Sequence, residues 1–177
     1  MEVEEVFDTI IYPDLKEYIE ENGNYSPKVV KVHPQDSKVF PIIPIRLLPV
    51  TNKYNNLSYG EETYSFSIDI DIYAVDTTVE EPIIPIEQEE PDVPAEQEEE
   101  QEEEQEEEPT VTYKKVSKKT VCDDLTKLIV EYIKENYHFK IRVKHDASNV
   151  DGTVHRNQIR LSGTLDTKYE NLVIYPW

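Results

Sequence analysis

The stretch Tyr64-Ser-Phe-Ser-Ile-Asp-Ile-Asp-Ile-Tyr-Ala-Val-Asp76 decides the reading of this chain. Tyr64, Phe66, Ile68, Ile70 and Ile72 share one parity, while Ser65, Ser67, Asp69 and Asp71 share the other. In an extended chain successive side chains point to opposite faces. Residues 63–75 are therefore predicted as a half-buried strand with one apolar face and one acidic, wet face. That pattern belongs to an antiparallel sheet covered on one side.

Toward the N-terminus, residues 51–60 (TNKYNNLSYG) read as a polar loop. Before them, Phe40–Pro49 is extended but carries three prolines. Proline cannot donate to a ladder, so this piece is expected at a sheet edge or between strands. Val29, Val30 and Val32 point to a short strand ending at His33-Pro34. Residues 3–22 read as an amphipathic helix, with Val3, Val6, Phe7, Ile10, Ile11, Leu15, Tyr18 and Ile19 at three- and four-residue steps. Pro13 predicts a kink, or two short helices meeting at Tyr12. Asn22-Gly23-Asn24 supplies the stop.

Toward the C-terminus, residues 80–109 hold 16 acids and no base. Their centre, Gln97–Glu108, repeats Gln-Glu-Glu-Glu. Like charges three and four residues apart repel on a helix, so the segment reads as disordered and solvated. The pentapeptide PIIPI occurs at 41–45 and again at 82–86 without matching flanks, and is read as coincidence. A second helix is expected from an N-cap at Thr120, with Asp123 in a capping box, to about Asn136. Its buried stripe is Val121, Leu125, Leu128, Ile129, Tyr132 and Ile133. Phe139–His145 then alternates apolar against basic, and Asp151-Gly152 signals a turn. A long strand is predicted over Val154–Lys168, with Ile159, Leu161 and Leu165 on one face and Arg156, Gln158, Arg160 and Ser162 on the other. Leu172–Tyr175 is the last short strand.

Strands come in runs and do not alternate with helices, so the class is α+β. The expected architecture is a largely antiparallel mixed sheet covered by two amphipathic helices, with a disordered acidic insertion. Residues 1–79 plus 110–177 form the single domain and 80–109 the Pro/Glu/Gln-rich insertion. The predicted core contains Phe66, Ile68, Ile70, Leu125, Leu128, Ile129, Ile141, Val143, Ile159 and Leu161.

The 177 residues carry 38 acids and 18 bases, a net charge of −20. With the 16 acids of 80–109 set aside, 22 acids face 18 bases in the other 147 residues, a net of −4. The acidity therefore describes the insertion, and the body is nearly balanced. Net negative charge argues against a dedicated nucleic-acid binder. No apolar run approaches the roughly 18–20 residues of a membrane-spanning helix. The acidic start lacks the features of a secretory signal. A lone cysteine, Cys122, forms no internal disulfide and fits a reducing cytoplasm. Gly23, Gly60, Gly152 and Gly163 lie too far apart for a phosphate-binding loop, so no nucleotide or other cofactor is expected.

Candidate chemical sites are few. His145, Asp146, Asp151 and His155 could converge across the Asp-Gly turn as metal ligands, but polar residues flanking a hairpin are the stronger reading. Asp69 and Asp71 resemble a carboxylate pair, although same-face carboxylates on a strand are ordinarily its wet side. Cys122 lies in a first helical turn, where the dipole favours thiolate, but Asp123 and Asp124 oppose it. Lys114, Lys115, Lys118 and Lys119 follow the acid run and would contact phosphates or pair with that run. The chain is read as a non-enzyme without a metal site. The feature that stands out is a pair of strand faces of opposite sign, Asp69/Asp71 on one and Lys140/Arg142/Lys144 on the other. Within a monomer they would pair across strands. In a ring they would be the two sides of a repeated heterologous subunit interface.

Four pieces carry a family resemblance: VFDTIIYPDLKEYI (6–19), YSFSIDIDIYAVD (64–76), VCDDLTKLIVEYIKEN (121–136) and DGTVHRNQIRLSGTLDTKYENLVIYP (151–176). Their order and spacing resemble the tail terminator, or tail-completion, proteins of long-tailed bacteriophages. The acidic insertion departs from that pattern. The resemblance implies a structural virion protein at the head-tail interface, assembled in the host cytoplasm. It implies a homo-oligomer, a hexameric ring, that caps the tail tube protein and docks to the head-neck connector. DNA would pass through without specific binding, and no membrane partner is implied. The alternatives are another phage neck protein, a head-closure or tail-to-head joining factor, or a non-viral acidic binding or chaperone module.

Overall fold

The computed structural model describes residues 2–32, 38–50, 52–56, 61–82, 111–146, 152–166 and 174–175. Its axis is the strand first read from the sequence, β4 (Glu61–Ala74). β4 pairs antiparallel with β8 (His155–Asp166) from Thr63↔Asp166 to Ala74↔His155. On the other side of β4 lie β2 (Ile42–Leu47) and β3 (Asn52–Asn56), both antiparallel to it. Beyond β8 lie β7 (Lys140–Lys144) and β9 (Ile174–Tyr175), also antiparallel. β1 (Lys28–Val30) adds parallel to β2, giving the order β1-β2-β4-β8-β7. The class is α+β with a mostly antiparallel sheet.

Two expectations about this sheet are corrected. The proposed polar loop contains β3, whose register against β4 runs from Asn52↔Ser65 to Asn56↔Glu61. A polar sequence gave no alternation to read, and the strand is defined by its pairing with β4. The proline-rich piece is not an edge, because β2 has a partner on each side. Its paired residues step from Ile42↔Tyr73 to Ile45↔Ile70, passing over Ile43 and Pro44, where a donor is missing. β1 reaches only to Val30↔Pro44, and among the described residues no strand pairs with the rest of β2 on that side.

The N-terminal helical run has three parts: α1 (Val3–Val6), a π-helical segment (Phe7–Ile11) and α2 (Tyr12–Asn22). Pro13 has no N–H to return to the preceding turn, and its ring crowds that turn. The chain accommodates it by widening: Tyr12 N–H bonds the Phe7 carbonyl, five residues back. Val6 and Tyr12 keep right-handed helical dihedrals, so the predicted break is a slip of hydrogen-bond register. Gly23 ends α2 with φ −73° and ψ 123°, and the left-handed positions follow at Tyr25 and Ser26. Gly23 is required by space. A Cβ there would lie 2.4 Å from the Ile19 carbonyl oxygen and 2.5 Å from Pro27 Cγ.

α3 (Lys118–Asn136) begins earlier than expected. Ser117, not Thr120, is its N-cap, and Ser117 Oγ accepts from Thr120 N–H at 3.2 Å. The threonine read as the cap is the residue the cap holds. One apolar cluster joins Val6, Phe7, Ile11, Leu15 and Ile19 of the N-terminal run, Val121, Leu125, Ile129 and Ile133 of α3, and Phe66, Ile68, Ile70, Ile72, Ile159 and Leu161 of the sheet. Leu128 is half-buried and Ile141 packs against the cluster from its margin. Val143, placed in the core from sequence, is exposed because β7 is the sheet's last strand beside β8.

The chain divides into two units, residues 1–77 with 116–177 and residues 78–115. The second unit holds most of a two-stranded sheet of β5 (Thr77–Pro82) and β6 (Val111–Val116). The insertion is therefore flanked by paired strands. The Gln/Glu repeat lies outside the described residues, as does most of the second PIIPI.

Candidate functional site

The alternation of β4 and β8 sorts their side chains between the core and a far face. Ser67, Asp69, Asp71 and Tyr73 of β4, with Arg156, Gln158, Arg160 and Ser162 of β8, point away from the core. The register sets Asp69 opposite Arg160 and Asp71 opposite Gln158. The far face was expected to leave both aspartates wet. Instead Asp69 is 3% and Asp71 1% exposed. Arg160 grips Asp69 with two parallel bonds, Nε to Oδ1 at 2.7 Å and Nη2 to Oδ2 at 2.9 Å. Arg156 Nη2 and Arg46 Nη2 each reach an Asp71 oxygen at 2.7 Å. Charge-assisted and bidentate bonds are the strong ones, and they offset much of the cost of desolvating the carboxylates. The arginines answer in kind. The hydrogen bonds it donates to Asp69 hold the Arg160 guanidinium above its ordinary range. Burial pulls Arg156 down, but bonding and charge from Asp71 win and its pKa is raised.

The two strand faces of opposite sign lie on one sheet face, separated by β8. Asp69 and Asp71 are consumed within the chain, which removes them as an open acidic patch. Each is locked against guanidinium, an arrangement that holds neighbouring strands together. Lys140, Arg142 and Lys144 form the next row outward, opposite Ser162, Arg160 and Gln158. All three are exposed, and among the described residues none has a carboxylate partner. Arg142 even stands opposite another guanidinium, a repulsive pairing. Over the middle of this face six cations (Arg46, Lys140, Arg142, Lys144, Arg156 and Arg160) meet two aspartates, an excess of four positive charges on a chain of net −20.

The histidine group resolves into a structural clamp. His145 Nδ1 lies 3.1 Å from Asp123 Oδ1, and His155 Nε2 lies 3.0 Å from Asp146 Oδ1 but out of line for a hydrogen bond. Asp151 lies outside the described residues. Among the described residues no three His, Cys, Asp or Glu groups are arranged to hold a metal. The residue missed from sequence is Asn157, fully buried on the core parity of β8. Its amide donates to Asp123 Oδ1 at 3.0 Å and Thr126 Oγ1 at 3.1 Å, and its oxygen accepts from Asp146 N–H at 3.3 Å. An amide one step from Ile159 on an apolar parity was the available signal. Partial burial pushes the Asp123 carboxyl up, but hydrogen bonds from Asn157 and His145 outweigh it and lower its pKa.

Cys122 is buried, its Sγ 3.5 Å from the carbonyl oxygens of Ile72 and His155. Burial, with Asp123 and Asp146 adding to it, pushes the thiol up to about 12 despite backbone bonds from Asn157 and Ala74 that favour thiolate. The lysine cluster is divided. Lys114 and Lys115 lie exposed on β6, while Lys118 opens α3, its N–H bonded to Asp76 Oδ1 at 2.9 Å and its Nζ to the Gly152 carbonyl.

No protein-family model, no curated protein and no solved structure matches this chain. No helix among the described residues is long and apolar enough to cross a membrane.

Proposed function

We propose that the chain is a structural subunit of a ring, a tail terminator that caps a phage tail tube and joins it to the head through the neck. The observation that carries this reading is the far face of the sheet. Its carboxylates are spent inside the subunit, and its outer strand presents an unpaired row of cations. Such a surface suits contact with another macromolecule and offers no convergent reactive groups. The order of elements supports the same reading: a helical run, strands, an insertion, a helix and closing strands. The proposed subunit contact uses Lys140, Arg142 and Lys144. Asp69 and Asp71 serve it indirectly, by fixing the strands beneath.

The decisive measurement is mass under native conditions, followed by electron microscopy of the particles. A closed assembly near six times 20.7 kDa, able to stop elongation of a co-expressed tail tube protein, is the expected result. A monomer at all concentrations would sink the ring. A ring that ignores tube but binds a neck connector would move the chain to a head-closure or joining role. The second class of reading, a non-viral acidic binding module, draws on the glutamate run, and a monomer that captures basic proteins through it would favour that role.

A further inference from the structure

The basic row lacks an acidic counterpart, because Asp69 and Asp71 are already engaged by Arg160, Arg156 and Arg46. The sequence contains a counterpart of matching period. Lys140, Arg142 and Lys144 are two residues apart on one strand face, a repeat of about 7 Å. Every even-numbered position from 96 to 108 is glutamate, while the odd positions between them alternate glutamine and glutamate. Laid out as an extended chain, that run presents an unbroken row of carboxylates with the same two-residue repeat. A helical path would instead interrupt it with a glutamine stripe at 97, 101 and 105.

We propose that the basic row on β7 docks the glutamate run, residues 96–108, of a second copy of this protein, in an extended conformation along the sheet edge. Each copy offers one basic row and one acidic run, so the contact is heterologous and passes head to tail from copy to copy. The segment between β5 and β6 has 28 residues, and half of it, extended, reaches roughly 45 Å, far enough to leave its own subunit. Lysines along an edge strand ordinarily prevent sheet-to-sheet pairing. Here they select an acidic strand and reject any other. Duplex nucleic acid carries a comparable charge spacing, but the chain's net charge of −20 repels it.

The test uses two full-length variants. The first reverses the basic row (Lys140→Glu, Arg142→Glu and Lys144→Glu). The second neutralises part of the run (Glu100→Gln, Glu102→Gln and Glu104→Gln). The three β7 positions are exposed, and circular dichroism checks the fold of both variants. If the triple reversal fails to fold, Arg142→Ala and its salt dependence replace it. In analytical ultracentrifugation at low salt the wild type self-associates, and its affinity falls at least about tenfold between roughly 0.05 M and 0.5 M salt. Each variant alone is a monomer. Mixed, they form a one-to-one dimer that grows no further, because only one intact row and one intact run remain. Variants that associate like the wild type, a mixture that stays monomeric, a monomeric wild type, or capture of a duplex DNA oligonucleotide by the row would each overturn the proposal. The result is independent of the tail reading: the mixed dimer can form although no ring caps a tube, and a capping ring can form although both variants enter it.

Discussion

Asp71 shows how one residue changes meaning between sequence and structure. On the strand it is one of two acidic positions on an outward face. In the fold it is 1% exposed, between Arg156 and Arg46, whose side chains remain 20% and 48% exposed. Removing one partner of a buried pair leaves the others uncompensated. Asp71→Ala is expected to destabilise the body by about 3 kcal/mol, toward the low end for buried pairs because Arg46 is half in water. Urea unfolding measures this, and a loss below about 0.5 kcal/mol would return Asp71 to an ordinary surface role. Cys122 gives the second prediction at this scale. A buried thiol pushed up to about 12 holds almost no thiolate at neutral pH. Labelling by a disulfide reagent at neutral pH is expected only at the rate at which the body opens, and to become fast in urea. Rapid labelling of the folded protein would contradict the burial.

Among the elements, α3 offers the sharpest test. Ser117→Ala removes the side chain that accepts from Thr120 N–H and should cost about 1 kcal/mol, whereas Thr120→Ala should cost clearly less. The opposite ranking would restore the start read from sequence. The two helical regions also meet through tyrosines. Tyr18 and Tyr132 stack at 3.7 Å, and Tyr132 and Tyr137 both donate to Asp14. Burial first, then the bond to Asp14, pushes Tyr132 up to about 12, and Tyr25 is raised to about 12 by burial and its bond to Asp124. These phenols hold their protons more tightly folded than unfolded. Their contribution to stability is therefore whole below pH 10.0, the ordinary value, and is lost as pH rises toward about 12. The urea midpoint should fall between about pH 10 and pH 12, and Asp14→Asn should flatten part of that fall. A midpoint unchanged over this range would contradict the tyrosine contacts.

For the whole molecule, the division at residues 78 and 115 separates a body with an apolar core from a segment dominated by charge. Deleting Glu87–Glu108 should leave the thermal unfolding of the body within about 2 °C of wild type, since loop closure costs change slowly with length. The same deletion should abolish the salt-sensitive self-association, because it removes the proposed occupant of the basic row. Loss of folding on deletion would mean that the segment contributes to the core.

What the sequence determined by itself was everything that depends on local period. The parity of 64–74, the apolar stripe of 121–133 and the basic alternation of 140–144 each survive in β4, α3 and β7. Period says which residues share a face, because that follows from backbone geometry alone. It does not say which strand lies beside which. Arg156 and Arg160 were legible as a basic face, yet only pairing of β4 with β8 in the observed register brings them onto Asp71 and Asp69. The same placement left the row on β7 without its expected acids. β3 was hidden because its polar residues carry no alternation, and β2 was left at an edge or between strands because proline marks a missing donor but not which neighbours surround it. Asn157 was visible only as an oddity, since two of its partners, Asp123 and Thr126, lie more than thirty residues away on α3. Tertiary structure decided these points because strand order and register are set by long-range packing, where charge and apolar surface must be satisfied together.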